Sequence, residues 1–438
     1  MENPPSVSIR TFGCKLNQYE SMGMLEQLEK SGLRVVPPDQ KSDIVIINTC
    51  TVTQRTDQRT LKLVRALARQ QPDSRILIIG CSAQRQKNEF LKLFNVRAVL
   101  GNREKNHIAE YVQRVWKEEP VIVAVSDLQK APFERLSISR FRNYTRAFIK
   151  IQEGCDRYCS YCVIPTVRGP SRSQAPDLVV QDIQNLANYN YREIVLTGID
   201  LGVYGLDLTP ATNLASLLTE IEKIPEIARI RLSSIEPMDF NRELIEKITI
   251  SSKICRHFHI PLQSATDRIL KMMSRSYTHE DYASIIEAIK TASPDACIGA
   301  DLITGFPGET ESEFEEGYRF VENLPIDYLH VFSYSDRTGR PSTLFPDKVP
   351  FETIKARCQT LRDLGYRKAI SFRKRMIGKK LSAIVLGAVD KATGLPQGLT
   401  DNYIRVTLPN HRIPKGAITN VVLDKVDGLI CSCRVLDQ

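Results

Sequence analysis

Over residues 1–132 the chain alternates short apolar runs with longer amphipathic ones. SVSIRTFGC reads as a short strand. IVIINTC (44–50) and RILIIGC (75–81) are continuous and β-branched, the pattern of strands buried on both faces. Between them, Asn17 to Ser31 places Met22, Met24, Leu25 and Leu28 near helical spacing. Gln54 to Gln71 reads as a basic helix that Pro72 stops. The β-α-β-α-β order predicts a small parallel sheet. Each of its three strands ends in a cysteine: Cys14, Cys50 and Cys81. Ligands gather at the carboxyl ends of strands in open parallel sheets, so these thiols are expected to converge.

Residues 119–140 lack a clear period and read as a linker. A second βα series follows, with strands expected at 146–152, 193–198, 229–234, 256–261, 298–305 and 328–335. Six βα units make a partial parallel barrel, short of the eight that close one. Residues 355–380 form a basic helix. From Met376 onward, short alternating runs broken by Gly, Pro and Asn read as a small all-β module. The expected fold is therefore α/β in three parts, 1–132, 141–373 and 374–438.

The composition of the 438 residues, 42% hydrophobic and 25% charged, excludes disordered, collagen-like and fibrous chains. No apolar run nears the ~18 residues of a membrane span. The opening MENPPSVSIR lacks the apolar core of a secretion signal, so a cytoplasmic protein is expected. The net charge of +9 is matched by residues 355–380 alone, which hold ten Lys/Arg and one acid. That helix reads either as a solvated face or as a rail for a phosphate backbone. Residues 374–438 carry ten Lys/Arg against five Asp, which suits a small barrel that binds single-stranded nucleic acid.

Eleven cysteines without an export signal point to a reducing compartment, where cysteines are buried, metal-bound or catalytic. Three of them lie in GCDRYCSYC, at Cys155, Cys159 and Cys162. Three thiolates this close can hold three irons of a [4Fe–4S] cube and leave the fourth open, whereas electron carriers use four cysteines. A structural zinc site would need a fourth ligand nearby. An open iron can chelate the amino and carboxylate groups of S-adenosylmethionine. Its sulfonium can then accept an electron and break to a 5′-deoxyadenosyl radical.

This CxxxCxxC motif after the first barrel strand resembles the radical S-adenosylmethionine superfamily. Alone, Cys14, Cys50 and Cys81 read first as core residues. FGCKLNQYES (12–21), NTCTVT (48–53) and GCSAQ (80–84) reverse that, because they resemble motifs of the methylthiotransferase family. So do RLSSIEP (231–237), HIPLQS (259–264), MMSRSYT (272–278), DLITGFPGET (301–310) and LTGIDLGVYG (196–205). The resemblance spans essentially the whole chain. It implies an amino-terminal cluster domain, a radical domain and a small RNA-binding TRAM barrel. It further implies two [4Fe–4S] clusters, held by Cys14, Cys50 and Cys81 and by Cys155, Cys159 and Cys162, with S-adenosylmethionine as cofactor. GCKLNQYES and NTCTVT look most like enzymes that place a methylthio group on C2 of N6-threonylcarbamoyladenosine at tRNA position 37. The same chemistry on isopentenyladenosine or a ribosomal protein, and a silent iron–sulfur RNA-binding protein, are the competing readings. The chain departs from the family pattern at Ser82 (usually Tyr), Gln174, Ala265 in QSAT, and Arg340 in RTGR.

Roles follow from the resemblance. Tyr161 matches an aromatic that packs on the cofactor adenine, with plain loop packing as its alternative. Ser234, Glu236 and Gln263 end barrel strands and are expected to face the cofactor. Gly305 and Gly308 would let backbone approach it. By residue type rather than resemblance, Arg168 and Arg172 read either as contacts to phosphate or carboxylate or as solvated arginines. His257 and His259 could be ligands by type, but with six cysteines available they are expected to be barrel-wall residues, and Cys255, Cys297, Cys358, Cys431 and Cys433 structural thiols. The expected partners are a tRNA anticodon loop, whose base is already partly unpaired, and a flavodoxin- or ferredoxin-like electron donor. No membrane association is expected.

Overall fold

The computed structural model describes residues 4–136, 138–141, 144–409 and 413–436. It packs as two compact units. The first is Met1–Arg140 with Gln152–Tyr158 and Cys162–Gln174; the second is Phe141–Ile151 with Cys159–Tyr161 and Ala175–Gln438.

The first unit is built on β1 (Ser6–Thr11), β2 (Arg34–Val35), β3 (Ile44–Thr49), β4 (Arg75–Gly80), β5 (Val96–Leu100) and β6 (Ile122–Ala124). All pair in parallel, in the order β2-β1-β3-β4-β5-β6. The three strands read from the sequence are neighbours at the middle of this sheet. Alternate residues of their apolar runs serve opposite faces. Ile44, Ile46, Leu77 and Ile79 pack with Met24 and Leu28 of α1 (Lys15–Lys30), and with Ile108 and Val112 from the helix Ile108–Trp116. Val45, Ile47, Ile76 and Ile78 pack with Val64 and Leu67 of α2 (Gln54–Gln70) and Phe90 of α3 (Cys81–Leu91). The helix Ile108–Trp116 is α4. The expected linker at 119–140 is corrected. It supplies edge strand β6, and its Leu128, Ala131 and Leu136 are buried. These residues dock one at a time, which is why no period marks them. Leu136, for instance, lies over Gly23, and its carbonyl accepts from the Tyr19 hydroxyl at 2.6 Å.

Next in sequence come β7 (Ala147–Lys150) of the second unit and the antiparallel pair β8 (Gln152–Glu153) and β9 (Arg172–Ser173) of the first. The short helix α5 (Ile164–Arg168) lies between β8 and β9 and also belongs to the first unit.

The second unit continues with β10 (Glu193–Thr197), β11 (Arg229–Leu232), β12 (His257–His259), β13 (Cys297–Thr304) and β14 (Tyr328–Ser333). With β7 they give the six expected barrel strands. They form two parallel three-stranded sheets, β11-β10-β7 and β12-β13-β14. The Ile235 amide donates to the His259 carbonyl at 3.1 Å and ties the two together. Phe258, Ile298, Ala300 and Leu302 are buried on one face of the second sheet; His257, His259, Asp301 and His330 lie on the other.

The long helix Phe351–Arg375 overlaps the expected basic helix, but the charge on it is largely committed within the unit. Arg357 pairs with Glu309 and Glu311, and Arg375 with Asp327. Lys368 donates to the Glu322 and Leu324 carbonyls, and Arg373 to that of Leu429. A continuous phosphate rail is therefore not what this helix presents.

The carboxyl-terminal strands β15 (Lys380–Val389), β16 (Pro396–Thr400), β17 (Arg405–Thr407), β18 (Ile418–Asp427) and β19 (Ile430–Val435) close a barrel in the order β15-β16-β17-β19-β18. Cys431 and Cys433 lie in its core with Ile404, Val406, Val421 and Leu423. The module caps the amino-terminal ends of the half-barrel strands through two buried arginines. Arg229 donates to the carbonyls of Leu399 and Ser382, and Arg231 to those of Thr400 and Asp401. Glu193, fully buried, is their counter-ion, 2.9 Å from Arg231. Tyr403 stacks on His257 with centroids 3.9 Å apart.

Arg231→Met is expected to lower the urea unfolding midpoint sharply. Leaving Glu193 buried with part of its neutralisation gone costs on the order of 3–5 kcal/mol. The Arg231→Met/Glu193→Gln double variant should recover part of the loss, as coupled partners do.

Candidate cluster and cofactor sites

In the first unit, Cys14 follows β1, Cys50 follows β3, and Cys81 opens α3 directly after β4. Two glycines fix the turns that present them. Gly13 and Gly80 both have φ of +102°, and a Cβ on Gly13 would lie 2.5 Å from Cys50 Cβ. Only glycine combines that backbone with that approach. The thiols are close enough to perturb one another. Burial first, then the neighbouring Cys81 and Cys14 sulfurs, push the Cys50 thiol up to about 12. Three thiolates here therefore need a cation among them, as a metal centre provides.

The polar surroundings fit that group. The Asn17 amide hydrogen-bonds Cys14, and the Val52 amide Cys50. Arg168 Nε donates to Cys81 Sγ at 3.2 Å, and Asn102 Nδ2 to the same atom at 3.5 Å. Such donors stabilise a thiolate and are typical around cluster sulfurs. Arg168 is 1% exposed, and all five of its N–H groups are used. Besides Cys81, Nη1 donates to Glu20 and to Glu153 Oε1 at 2.9 Å. Nη2 donates to Asn17 Oδ1 at 2.7 Å and Glu20 Oε2 at 3.0 Å. Burial opposes the charge on Arg168, but the Cys81 sulfur and Glu20 outweigh it and keep the guanidinium protonated. Lys105, also buried, joins Glu20 to Asn102. Arg172 turns instead to the carbonyls of Leu128, Ala131 and Arg168. Both arginines thus meet protein groups, and neither lies open to phosphate.

Of the second triad, Cys155 and Cys162 belong to the first unit and Cys159 to the second. The Arg157 amide donates to Cys155 Sγ and the Ile164 amide to Cys162 Sγ, each at 3.5 Å. The contrast with the structural thiols is plain. Cys433 Sγ donates to the Thr407 carbonyl at 3.4 Å, as a protonated thiol does.

In the second unit, Ser160 anchors its turn by donating from Oγ to the Met272 carbonyl and from its amide to that of Met273. Tyr161 lies edge-on to Phe306, with centroids 6.4 Å apart. Its hydroxyl accepts from Arg275 Nη2 at 2.9 Å, and Arg275 Nη1 donates to Glu236 Oε2 at 2.5 Å. Arg275 thus joins two expected site residues from MMSRSYT, and the sequence reading missed it. Ser234 lies just past β11. Gln263 has φ of +65°, strained for a non-glycine residue, and pairs with β13 through Asp301 and Ile303. Gly305 (φ +79°) makes room for Ile354, a packing reason rather than a cofactor one. The departures fit their places. Ser82 is buried and donates to Asp57 Oδ1 at 2.9 Å. Ala265 packs against Gly317, where an added Cβ would lie 3.2 Å from the Ala265 Cβ.

Residues 6–101 match the model of the family described as "Uncharacterized protein family UPF0004", and residues 149–321 that of the Radical SAM superfamily. The chain is 36% identical over 424 residues to "Threonylcarbamoyladenosine tRNA methylthiotransferase MtaB" of Bacillus subtilis, covering 96% of this chain and 94% of that one. It is 35% identical to the protein of the same name from Thermotoga maritima, covering 98% and 97%. It is also 35% identical over 357 residues to "tRNA-2-methylthio-N(6)-dimethylallyladenosine synthase" of Natranaerobius thermophilus, covering 80% and 79%. Among solved structures, the radical S-adenosylmethionine methyltransferase TsrM of Kitasatospora setae superposes with a TM-score of 0.56 at 15% identity, covering 75% of this chain and 72% of that one. That likeness speaks for the fold alone. Among the described residues, no helix is long and apolar enough to cross a membrane.

Gly32 also has positive φ (+77°), but with nothing within 4 Å of an added Cβ. Gly32→Ala should cost only the left-handed backbone penalty, roughly 1–2 kcal/mol. Gly13→Ala should lower the melting temperature clearly further, because Cys50 must also move.

Proposed function

The chain belongs to the radical S-adenosylmethionine tRNA methylthiotransferases, and we propose that it methylthiolates C2 of N6-threonylcarbamoyladenosine at position 37 of tRNA. The observation that carries the substrate is identity at matched coverage. At near-full coverage, relatives named for threonylcarbamoyladenosine reach 36% and 35% identity over 96% and 98% of the chain, against 30% over 95% for a dimethylallyladenosine enzyme. In this reading Cys155, Cys159 and Cys162 hold the cluster that binds S-adenosylmethionine, and Cys14, Cys50 and Cys81 hold a second. These groups supply one-electron cleavage of S-adenosylmethionine and a methylated sulfur donor, chemistry suited to an aromatic carbon with no acidic proton and no leaving group.

The protein's part is to hold and orient. Arg168, Asn102 and the Asn17 and Val52 amides hydrogen-bond and orient the sulfurs of Cys81, Cys14 and Cys50. Arg275 locks Tyr161 and Glu236 together, so that the aromatic ring and the carboxylate face the cofactor as one unit. Ser234 and Gln263 complete that rim. The closed β module is the TRAM domain. It grips the anticodon loop, where the target adenosine is already partly unpaired. The enzyme works in the cytoplasm with a flavodoxin- or ferredoxin-like electron donor.

Nucleoside mass spectrometry of tRNA from a deletion strain tests the substrate. The 2-methylthio form of threonylcarbamoyladenosine is expected to vanish, and to return with the wild type but not with Cys14→Ala or Cys155→Ala. Loss of a different methylthio nucleoside would overturn the substrate assignment and keep the chemistry. Binding of tRNA, measured by filter retention, should weaken linearly in log Kd against log salt, since phosphate contacts release counterions.

A further inference from the structure

Three metal-ligating side chains from three neighbouring strands meet on the inner face of the half-barrel. They are His259 of β12, Asp301 of β13 and His330 of β14. Asp301 pairs in register with His330, and His259 pairs with Gly299, two residues along β13 on the same face. One ligand atom from each lies within 4.8 Å of the other two, and among the described residues no other His, Cys, Asp and Glu set does this. Asp301 Oδ1 lies 2.9 Å from His259 Nε2 and 3.2 Å from His330 Nδ1.

Support behind the set is built in. His259 Nδ1 is 3.1 Å from the Tyr328 hydroxyl, which is also 2.9 Å from His257 Nε2. Gly299 makes this possible, because a Cβ there would lie 1.9 Å from the Tyr328 ring. When His259 donates through Nδ1 to Tyr328, and Tyr328 donates to His257, the lone pair on His259 Nε2 points at Asp301. Two acceptors then face each other and call for a cation between them. An imidazole whose outer nitrogen is held in this way is the usual arrangement of a metal-bound histidine. His330 is 56% exposed, which leaves one side of the set open.

We propose that His259, Asp301 and His330 form a divalent transition-metal site with an open coordination position on the inner face of the half-barrel. Two imidazoles and one carboxylate are a donor set for zinc or ferrous iron, and three protein ligands mark a site that keeps room for an outside ligand. The ion would act there as a Lewis acid toward an oxygen or nitrogen ligand. The site uses no cysteine.

The test uses reconstituted full-length enzyme, dialysed anaerobically against zinc and analysed for metals and for zinc-edge X-ray absorption. The expected result is one zinc per chain beyond the irons, with only nitrogen and oxygen neighbours. Asp301→Asn and His330→Ala should abolish that zinc while iron and acid-labile sulfide stay unchanged. Tyr328→Phe, which leaves all three ligands in place, should weaken it about 10- to 100-fold. Absence of extra zinc, sulfur in its first shell, or zinc retained in the ligand variants would overturn the proposal and leave a proton-bridged wall network. Unchanged iron content separates loss of a ligand from loss of the fold.

Discussion

Arg168 carries its charge in a place that water does not reach, and every N–H on it has an acceptor. The geometry of the first unit's thiol pocket depends on that arrangement. Through Cys81, Asn17, Glu20 and Glu153 it ties together the end of β4, the start of α1 and the strand β8. A planar fork with five donors in fixed directions can do this, and a lysine ammonium cannot. Two carboxylates, Glu20 and Glu153, face the cations Arg168, Lys105 and Arg172 in this buried network. Arg168 lies six residues past Cys162, in the helix that follows the second triad. The segment carrying one set of cysteines thus supplies the donor that steadies the other.

The second unit obeys the same rule that buried charge must be paired and hydrogen-bonded. Arg229, Arg231 and Glu193 form its floor, where the β module's own carbonyls complete the donors' needs. Their cost in desolvation is offset by fixing where the module docks. Higher in the half-barrel, Arg275 joins Tyr161 to Glu236, and the polar line His257–Tyr328–His259–Asp301 crosses the inner face. A wall lined in this way is suited to a polar cofactor and substrate, since apolar residues fill the opposite face.

The sequence alone determined the element order, the two cysteine triads as motifs and the family, because these are local signals. Burial on both faces wrote the central strands as continuous apolar runs, and CxxxCxxC fixes three sulfurs within eight residues. Only the tertiary structure decided which charges are spent. Helix 355–380 looks like a rail because sequence counts its cations but not their partners. Glu309, Asp327 and the helix-end carbonyls that absorb them lie far along the chain. Strand β6, three residues long, has too few positions to show a period. Arg275 reaches Glu236 and Tyr161 across 39 and 114 residues, and Asp301 reaches His259 and His330 across 42 and 29. No spacing rule spans such distances. Folding brings these groups together through parallel strand register, which depends on the packing of every strand at once.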